Sequence, residues 1–309
     1  MESASSKVIN QFSINQDQAV YAGVCRGALG ELFQGPSPYQ TDEIVIISSL
    51  ISQYSRVYFT PIKNQLFSKD EYHDLIYNDP NHKKAFKAAE IFCQLNNLPL
   101  PIGQWEFSSD LPVSRGMASS TADIVATIRC LQNYYNKAFN LDNLLKVLFA
   151  IERSDSVFLN NLTLFCSSHH KIIQQFGKLP PLYALFMHEE NTIETDDTKE
   201  ILINFYQRNF SHYTKLYSAI IQQFTNRNLK QVCQLSTRSS ELSQEILPKK
   251  HFYTIHQKMA DFYADGIITA HTGSAIGYLF VEKPQIESIE SITVFFKKLG
   301  GKCQLAEIG

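Results

Sequence analysis

Between Gln104 and Asp123 the chain has to leave extended backbone and enter a helix through a bend made almost wholly of small residues. Gln104–Phe107 reads as a strand, and Ile124, Ile128, Leu131 and Tyr135 recur at helical spacing. Joining them is a segment that runs through Asp110-Leu-Pro-Val-Ser-Arg-Gly-Met-Ala-Ser-Ser-Thr-Ala-Asp123. Small side chains at Gly116, Ala118, Ser119 and Ser120 let backbone N–H groups come close to a polyphosphate. The positive end of the helix dipole favours the same charge. Ser120 and Asp123 also fit an S-x-x-D capping box, which begins many helices and implies nothing more by itself. No G-x-x-x-x-G-K-[ST] or G-x-G-x-x-G occurs, so neither a P-loop nor a dinucleotide fingerprint is present. The bare chemistry is that of an anion site.

The rest of the chain can house such a site. Of 309 residues, 44 % are hydrophobic and 19 % charged, enough for a substantial core. A net charge of −2 without a basic stripe argues against nucleic acid or an anionic membrane as a partner. No apolar run approaches the roughly 20 residues that span a bilayer. Met1–Gln18 is polar, lacks an apolar signal core, and reads as a disordered lead-in. Cys25, Cys93, Cys130, Cys166, Cys233 and Cys303 are scattered with no C-x-x-C pair, as expected of buried free thiols in a reducing compartment, the cytoplasm. A zinc site is not expected from that spacing. His169–His170 reads as a surface pair with no matching cysteine or carboxylate.

Strands are predicted at Ile44–Ser48, Arg56–Thr60, Leu162–Phe165, Leu182–Met187, Ile267–Thr269 and Ala275–Val281. Helices are predicted at Lys83–Asn96, from Ser120 onward, and at Leu141–Ser154, Phe205–Phe224 and Ser236–Leu247. The acidic stretch Glu189–Lys199 reads as an exposed loop, and residues after Gly301 as a short tail. This mixed order gives an α+β fold with two lobes: 1–18 flexible, 19–170 an N-terminal domain, 171–309 a C-terminal one.

Four segments in order carry a resemblance. Pro112-Val-Ser-Arg-Gly-Met-Ala-Ser-Ser-Thr-Ala122 resembles the P-x-x-x-G-L-G-S-S-A-A signature of GHMP kinases, and its wording is similar to that of the L-threonine kinases of cobalamin side-chain synthesis. Gly30-Glu-Leu-Phe-Gln-Gly35, Ile151-Glu-Arg-Ser-Asp-Ser-Val-Phe-Leu159 and Ala270-His-Thr-Gly-Ser-Ala-Ile-Gly277 resemble three further motifs of that group. The resemblance implies an ATP-binding N-terminal lobe with a left-handed βαβ unit, an exception to the usual handedness, and a ferredoxin-like C-terminal lobe. It further implies an ATP- and Mg²⁺-dependent phosphotransferase acting on the side-chain hydroxyl of L-threonine or a similar hydroxy amino acid. A homodimer is compatible with it.

By resemblance, the ATP phosphates are expected on Pro112, Ser114, Arg115, Gly116, Met117, Ala118, Ser119 and Ser120, with Thr272 and Gly273 opposite. Mg²⁺ would be held by Ser120 and Glu152; so sparse a set suits an ion that keeps several waters. Arg115 is expected to offset charge on the transferring group, and Asp155 to deprotonate or orient the acceptor hydroxyl. Glu152 and Asp155, three apart near a helix end, are expected to face one side; without the motif they would read as a solvated acidic face beside Arg153. Gly30, Glu31, Gln34, Asp155, His271 and Ser274 are assigned to the acceptor, with Glu31 on its ammonium or else a plain surface residue at a turn. His271 is expected to act as a hydrogen-bonding pillar.

The acceptor side departs most from the group's pattern. Arg26, Ala28 and Leu29 stand where Pro, Thr/Ser and Cys precede G-E-L, and Thr272-Gly-Ser274 swaps the hydroxyls of Ser-Gly-Thr. Two alternatives therefore stand beside threonine: a kinase for another hydroxylated metabolite, or a catalytically silent nucleotide-binding homologue. A decarboxylase or phosphomevalonate-type relative would need several cations near the acceptor, and the first motif offers only Arg26.

Overall fold

The structure is a computed structural model that describes residues 19–40, 42–62, 77, 79–112, 115–190 and 199–309. The lead-in 1–18, Ser114 and most of the acidic stretch 189–199 lie outside the described residues. Contacts divide the chain into two interleaved compact units rather than at residue 170: residues 1–25, 54–110 and 120–152 form one, and 26–53, 111–119 and 153–309 the other.

The first unit holds the start of strand β1 (Tyr21–Pro36), the second half of β2 (Ile44–Pro61), β3 (Gly103–Ser109), and helices α1 (Lys83–Leu95), α2 (Ser119–Tyr134, from its second residue) and α3 (Leu141–Phe149). β3 runs antiparallel to β2 from Ser55↔Ser109 to Pro61↔Gly103. Phe59, Tyr77, Phe86 and Trp105 pack ring against ring, each buried. α2 buries Ile124, Val125, Ile128 and Leu131. Its polar side chains tie it to β1: Arg129 donates to the Val24 carbonyl at 2.7 Å and Asn133 to that of Ala22 at 2.6 Å.

The second unit is built on a sheet of order β1-β7-β8-β6-β9-β2-β4-β5. Its strands are β4 (Thr163–Cys166), β5 (Lys171–Gln175), β6 (Leu182–His188), β7 (Gly266–Thr269), β8 (Ala275–Phe280) and β9 (Gln304–Ile308), with β1 and the first half of β2. Helices α4 (Lys199–Arg208), α5 (Phe210–Thr225), α6 (Leu229–Ser243), α7 (Phe252–Lys258) and α8 (Ile286–Lys298) complete it. Leu185, Met187, Phe252, Ile255, Ile267, Ile276, Tyr278, Phe280, Ile292 and Phe296 form one buried cluster. Burying each stabilises by about 1.5–3 kcal/mol before conformational entropy is set against it. α6 lies on β7 through a row of buried hydroxyls: Ser236 donates to the Ile267 carbonyl at 2.9 Å, and the Ile267 N–H donates to Thr237 at 2.8 Å.

Several boundaries differ from the sequence expectation. Ile44–Ser48 and Arg56–Thr60 belong to one strand, because pairing with β4, β9 and β3 carries extended backbone through the polar residues between them. The helix expected over Leu141–Ser154 ends at Phe149, where Ile151 and Glu152 both turn their N–H groups back onto the Leu148 carbonyl. The helix expected over 205–224 is two helices that meet at Asn209, and the one expected from Ser236 begins at Leu229. β1, β5 and β9 escaped the sequence reading, as did the short helix α7. β9 is only five residues long, and its place between β6 and β2 is a tertiary fact.

Candidate active site

Within the second unit, three of the sequence motifs are pinned together by backbone. The Gly30 N–H donates to the Gly116 carbonyl at 3.2 Å, Ala28 to Met117 at 3.1 Å, and Ser274 to Arg115 at 3.1 Å. The bend at Arg115–Ala118 therefore sits against β1 on one side and the β7–β8 turn on the other. Gly116 has φ +78° and Ala118 +55°, the left-handed region that a side chain disfavours. A Cβ on Gly273 would stand 2.2 Å from Gly116 Cα, and one on Gly116 would stand 2.4 Å from Ala270 Cβ. The two turns touch backbone to backbone, which leaves a surface of main-chain and small side chains suited to a polyphosphate.

Under this contact lies a buried ionic cluster. Glu31 Oε2 accepts from the His271 N–H at 3.0 Å and is paired with His271 Nδ1 at 2.8 Å. Burial acts to raise the Glu31 carboxyl, but the hydrogen bonds and charge of His271, with the charge of Arg153, outweigh it and hold the group below its ordinary value. Lys249 reaches the same turn from below: its ammonium donates to the Gly273 carbonyl at 2.6 Å and to that of His271 at 3.0 Å. Burial pushes Lys249 down to about 8 although Glu189 and Glu31 pull it up. Glu189 in turn accepts the N–H groups of Lys250 and His251 at 3.0 and 2.8 Å, which fixes the segment carrying Lys249. His188 Nδ1 lies 3.3 Å from Ser274 Oγ, and burial with the Arg115 charge pushes it down to about 4, so it is neutral at ordinary pH.

In the first unit, the carboxylate of Glu152 is the hub. Ser120 Oγ donates to Oε2 at 2.7 Å, Thr121 Oγ1 to Oε1 at 2.9 Å, and Lys84 Nζ to Oε2 at 2.7 Å. A hydroxyl and a carboxylate are hard oxygen donors of the kind Mg²⁺ takes. Their 2.7 Å separation is close to the roughly 2.9 Å edge of an octahedron with 2.0–2.1 Å metal–oxygen bonds. The set fits the ion, and the Lys84 ammonium supplies the positive charge that this carboxylate requires.

Some expectations are corrected. Ser120 and Asp123 do not cooperate as a capping box: Ser120 turns to Glu152, and Asp123 accepts a short hydrogen bond from Ser55 Oγ. Burial, with the Glu152 charge, raises the Asp123 carboxyl even though Ser55 and His82 oppose it. Glu152 and Asp155 are not a facing pair on a helix. The helix has already ended, and Asp155 Oδ1 accepts from Ser48 Oγ at 2.9 Å. Glu31 is neither at a turn nor on the surface, since β1 continues through it and it pairs with Thr269. Gln34 donates to Tyr206 Oη at 2.9 Å and its N–H donates to Ser239 Oγ at 3.3 Å, which ties β1 to helices α4 and α6. Arg115 spends one guanidinium nitrogen on the Glu189 carbonyl at 2.7 Å. Pro112 is exposed and Ser119 half-buried at the entry of α2, while Thr272 lies in the turn.

Lys249, Lys84 and Thr121 were missed by sequence reading. Pro248-Lys-Lys-His251 has the look of a solvated basic run, and only tertiary packing takes Lys249 inside. Thr121 could have been found, as it extends the hydroxyl run Ser119-Ser-Thr121.

Known proteins resemble this chain in sequence and in fold. The family described as GHMP kinases N terminal domain matches residues 83–159. L-threonine kinases of Salmonella typhimurium and Citrobacter freundii are 30 % and 27 % identical, over 57 % and 56 % of this chain. The matched region spans about three fifths of those relatives, 59 % and 61 % of their length. A putative 4-diphosphocytidyl-2-C-methyl-D-erythritol kinase of Staphylococcus aureus is 26 % identical over 84 % of this chain and 89 % of its own. Among solved structures, the mevalonate kinase of Methanococcus jannaschii superposes with a TM-score of 0.69 at 15 % identity, covering 96 % of this chain and all of its own. That likeness shows the α+β GHMP kinase fold across nearly the whole chain. The matched family model covers residues 83–159, about a quarter of the chain, and the likeness to solved structures shows the fold.

Proposed function

We propose that this chain is an ATP-dependent kinase that phosphorylates the side-chain hydroxyl of L-threonine or a similar hydroxy amino acid. The observation that carries the kinase reading is the Ser120–Glu152 oxygen pair, 2.7 Å apart, placed directly after the small-residue bend in the chain. Ser120 and Glu152 would hold Mg²⁺, and Arg115 to Ser119 with Thr272 and Gly273 would hold the triphosphate. When bound, Mg-ATP supplies the transferable phosphoryl group with its charge largely neutralised, and the protein's part is alignment and electrostatic stabilisation. Asp155 would accept or orient the acceptor's hydroxyl proton, a role in keeping with the hydroxyl hydrogen bond that its Oδ1 accepts from Ser48 Oγ. Lys249 places a cation beneath the β7–β8 turn and stiffens it through two carbonyls.

An amino-acid acceptor is favoured by Glu31. Its anionic carboxyl, buried and paired with His271 at the β7–β8 turn, adds negative charge that favours an ammonium over a phosphorylated acceptor. The second reading, a 4-diphosphocytidyl-2-C-methyl-D-erythritol kinase, draws support from the longer match to the Staphylococcus aureus relative. Purified protein with Mg-ATP, offered L-threonine, L-serine, L-homoserine and 4-diphosphocytidyl-2-C-methyl-D-erythritol and followed by ADP release, separates the two. Stimulation by L-threonine is the expected outcome. Stimulation by the cytidyl compound alone would transfer the assignment, and ATP binding without any acceptor-stimulated ADP would leave a silent nucleotide-binding protein. Asp155→Asn should lower kcat at least about tenfold if it takes the proton; a change confined to KM would make it a substrate-positioning group.

A further inference from the structure

Away from these residues, Glu43, Cys166 and His169 place one carboxylate oxygen, one thiol sulfur and one imidazole nitrogen all within 4.8 Å of one another. We propose that they bind a divalent transition metal of the zinc class. His169 Nδ1 lies 3.6 Å from Glu43 Oε1 and 3.8 Å from Cys166 Sγ. Zinc–sulfur bonds of about 2.3 Å and zinc–nitrogen or –oxygen bonds of about 2.0–2.2 Å give tetrahedral ligand–ligand edges of roughly 3.3–3.6 Å. The two edges at His169 are thus within a few tenths of an ångström of such a polyhedron, and the Glu43–Cys166 edge lies within 4.8 Å. Sulfur, nitrogen and oxygen together suit zinc or cobalt, and a thiolate disfavours magnesium and calcium.

The scaffold holds the donors in place before any ion arrives. Cys166 ends β4 opposite Val45 of β2, and Glu43 immediately precedes that strand. Ser167 N–H donates to the Ile44 carbonyl at 2.9 Å, and the Ile44 N–H donates to Ser168 Oγ at 3.0 Å. This clamp fixes the neighbours of all three donors. Cys166-Ser-Ser-His169 also has the two-residue gap that lets one turn present two ligands to one ion. Sequence reading missed the group because Glu43 lies more than a hundred residues away.

Binding exchanges the Cys166 sulfur–hydrogen bond for a sulfur–metal bond and releases one proton to solvent. The two anionic donors then balance the ion's charge, and the fourth position is left for water. Cys166 is fully buried while His169 is half exposed, so the ion enters past the imidazole. Its effect is to cross-link the start of β2 to the β4–β5 turn.

The test uses the full chain and Co²⁺ as the optical probe. Wild type should develop a thiolate-to-cobalt charge-transfer band, which zinc then abolishes by displacement, and zinc should raise the melting temperature. Cys166→Ser should lose the band, and His169→Ala should weaken cobalt binding at least about tenfold. His169→Ala alters a half-exposed side chain and keeps the test valid should Cys166→Ser fail to fold. Absence of the band in folded wild type would overturn the assignment. A band of equal strength in His169→Ala would also do so, by placing the ion on another thiol such as the partly exposed Cys303.

Discussion

Lys249→Met removes a buried ammonium while keeping most of the side chain's volume, and its consequence has a defined sign in pH. The ammonium is driven from its ordinary value of 10.5 down to about 8 by burial. Below about pH 8 both folded and unfolded chains carry this proton. Between about 8 and 10.5 the folded chain has released it and the unfolded chain has not, so the unfolded state binds more protons and wild-type stability rises with pH. The full difference, about 2.5 pKa units at 1.36 kcal/mol each, is about 3 kcal/mol. From about pH 7 to about pH 9.5 the realised part is about 2 kcal/mol. Methionine relieves that penalty but leaves the His271 and Gly273 carbonyls without their donor, at about 1–3 kcal/mol each. At neutral pH the variant's stability therefore falls by no more than about 3 kcal/mol, and the pH slope is the diagnostic quantity. Burial also raises Cys93 to about 11 and Cys130 to about 12; their opposite slope is common to both proteins and cancels in the difference. Urea unfolding followed by circular dichroism at the two pH values measures it. Activity should move the other way, kcat declining above about pH 8 as the cation beneath the turn is lost. A stability gap between wild type and variant that is the same at both pH values would refute the buried-cation argument.

Two further perturbations test other residues. Glu152→Gln removes half of the proposed metal pair and should raise the Mg²⁺ concentration needed for half-maximal ADP formation; an unchanged magnesium dependence would take Glu152 out of the metal site. Gly273→Ala sets a Cβ 2.2 Å from Gly116 Cα, against backbone that has no rotamer to yield. Overpacking of this kind costs about 1–3 kcal/mol, so the variant should melt lower and bind a fluorescent ATP analogue more weakly, and unchanged values of both would show that the two turns do not depend on their contact.

Much of the site was legible because its chemistry is local. The bend at Arg115–Ser120 needs small residues in consecutive positions, and that requirement is written in the chain whatever surrounds it. Ser120 and Glu152 were named as partners from two separate motifs, and they meet at 2.7 Å. His271 was expected to be a hydrogen-bonding pillar of its turn, and its hydrogen bonds run to Glu31 of β1. What was misread depended on distant neighbours. Glu31 looks like a turn residue because glycines flank it, yet strand pairing with Thr269 draws it inside. Lys249 looks like surface because lysine usually is, yet two carbonyls and Glu189 receive it.

The sequence by itself marked out the small-residue bend, the hydroxyl run beside it and the motifs that resemble those of GHMP kinases, because small residues, hydroxyls and carboxylates at fixed spacing constrain chemistry over a few residues. Tertiary structure alone decided which charges are buried, what each one pairs with, and that Glu43, Cys166 and His169 converge. Desolvation and pairing energies are set by every neighbour within a few ångströms, and in a folded chain those neighbours come from segments that sequence order does not bring together.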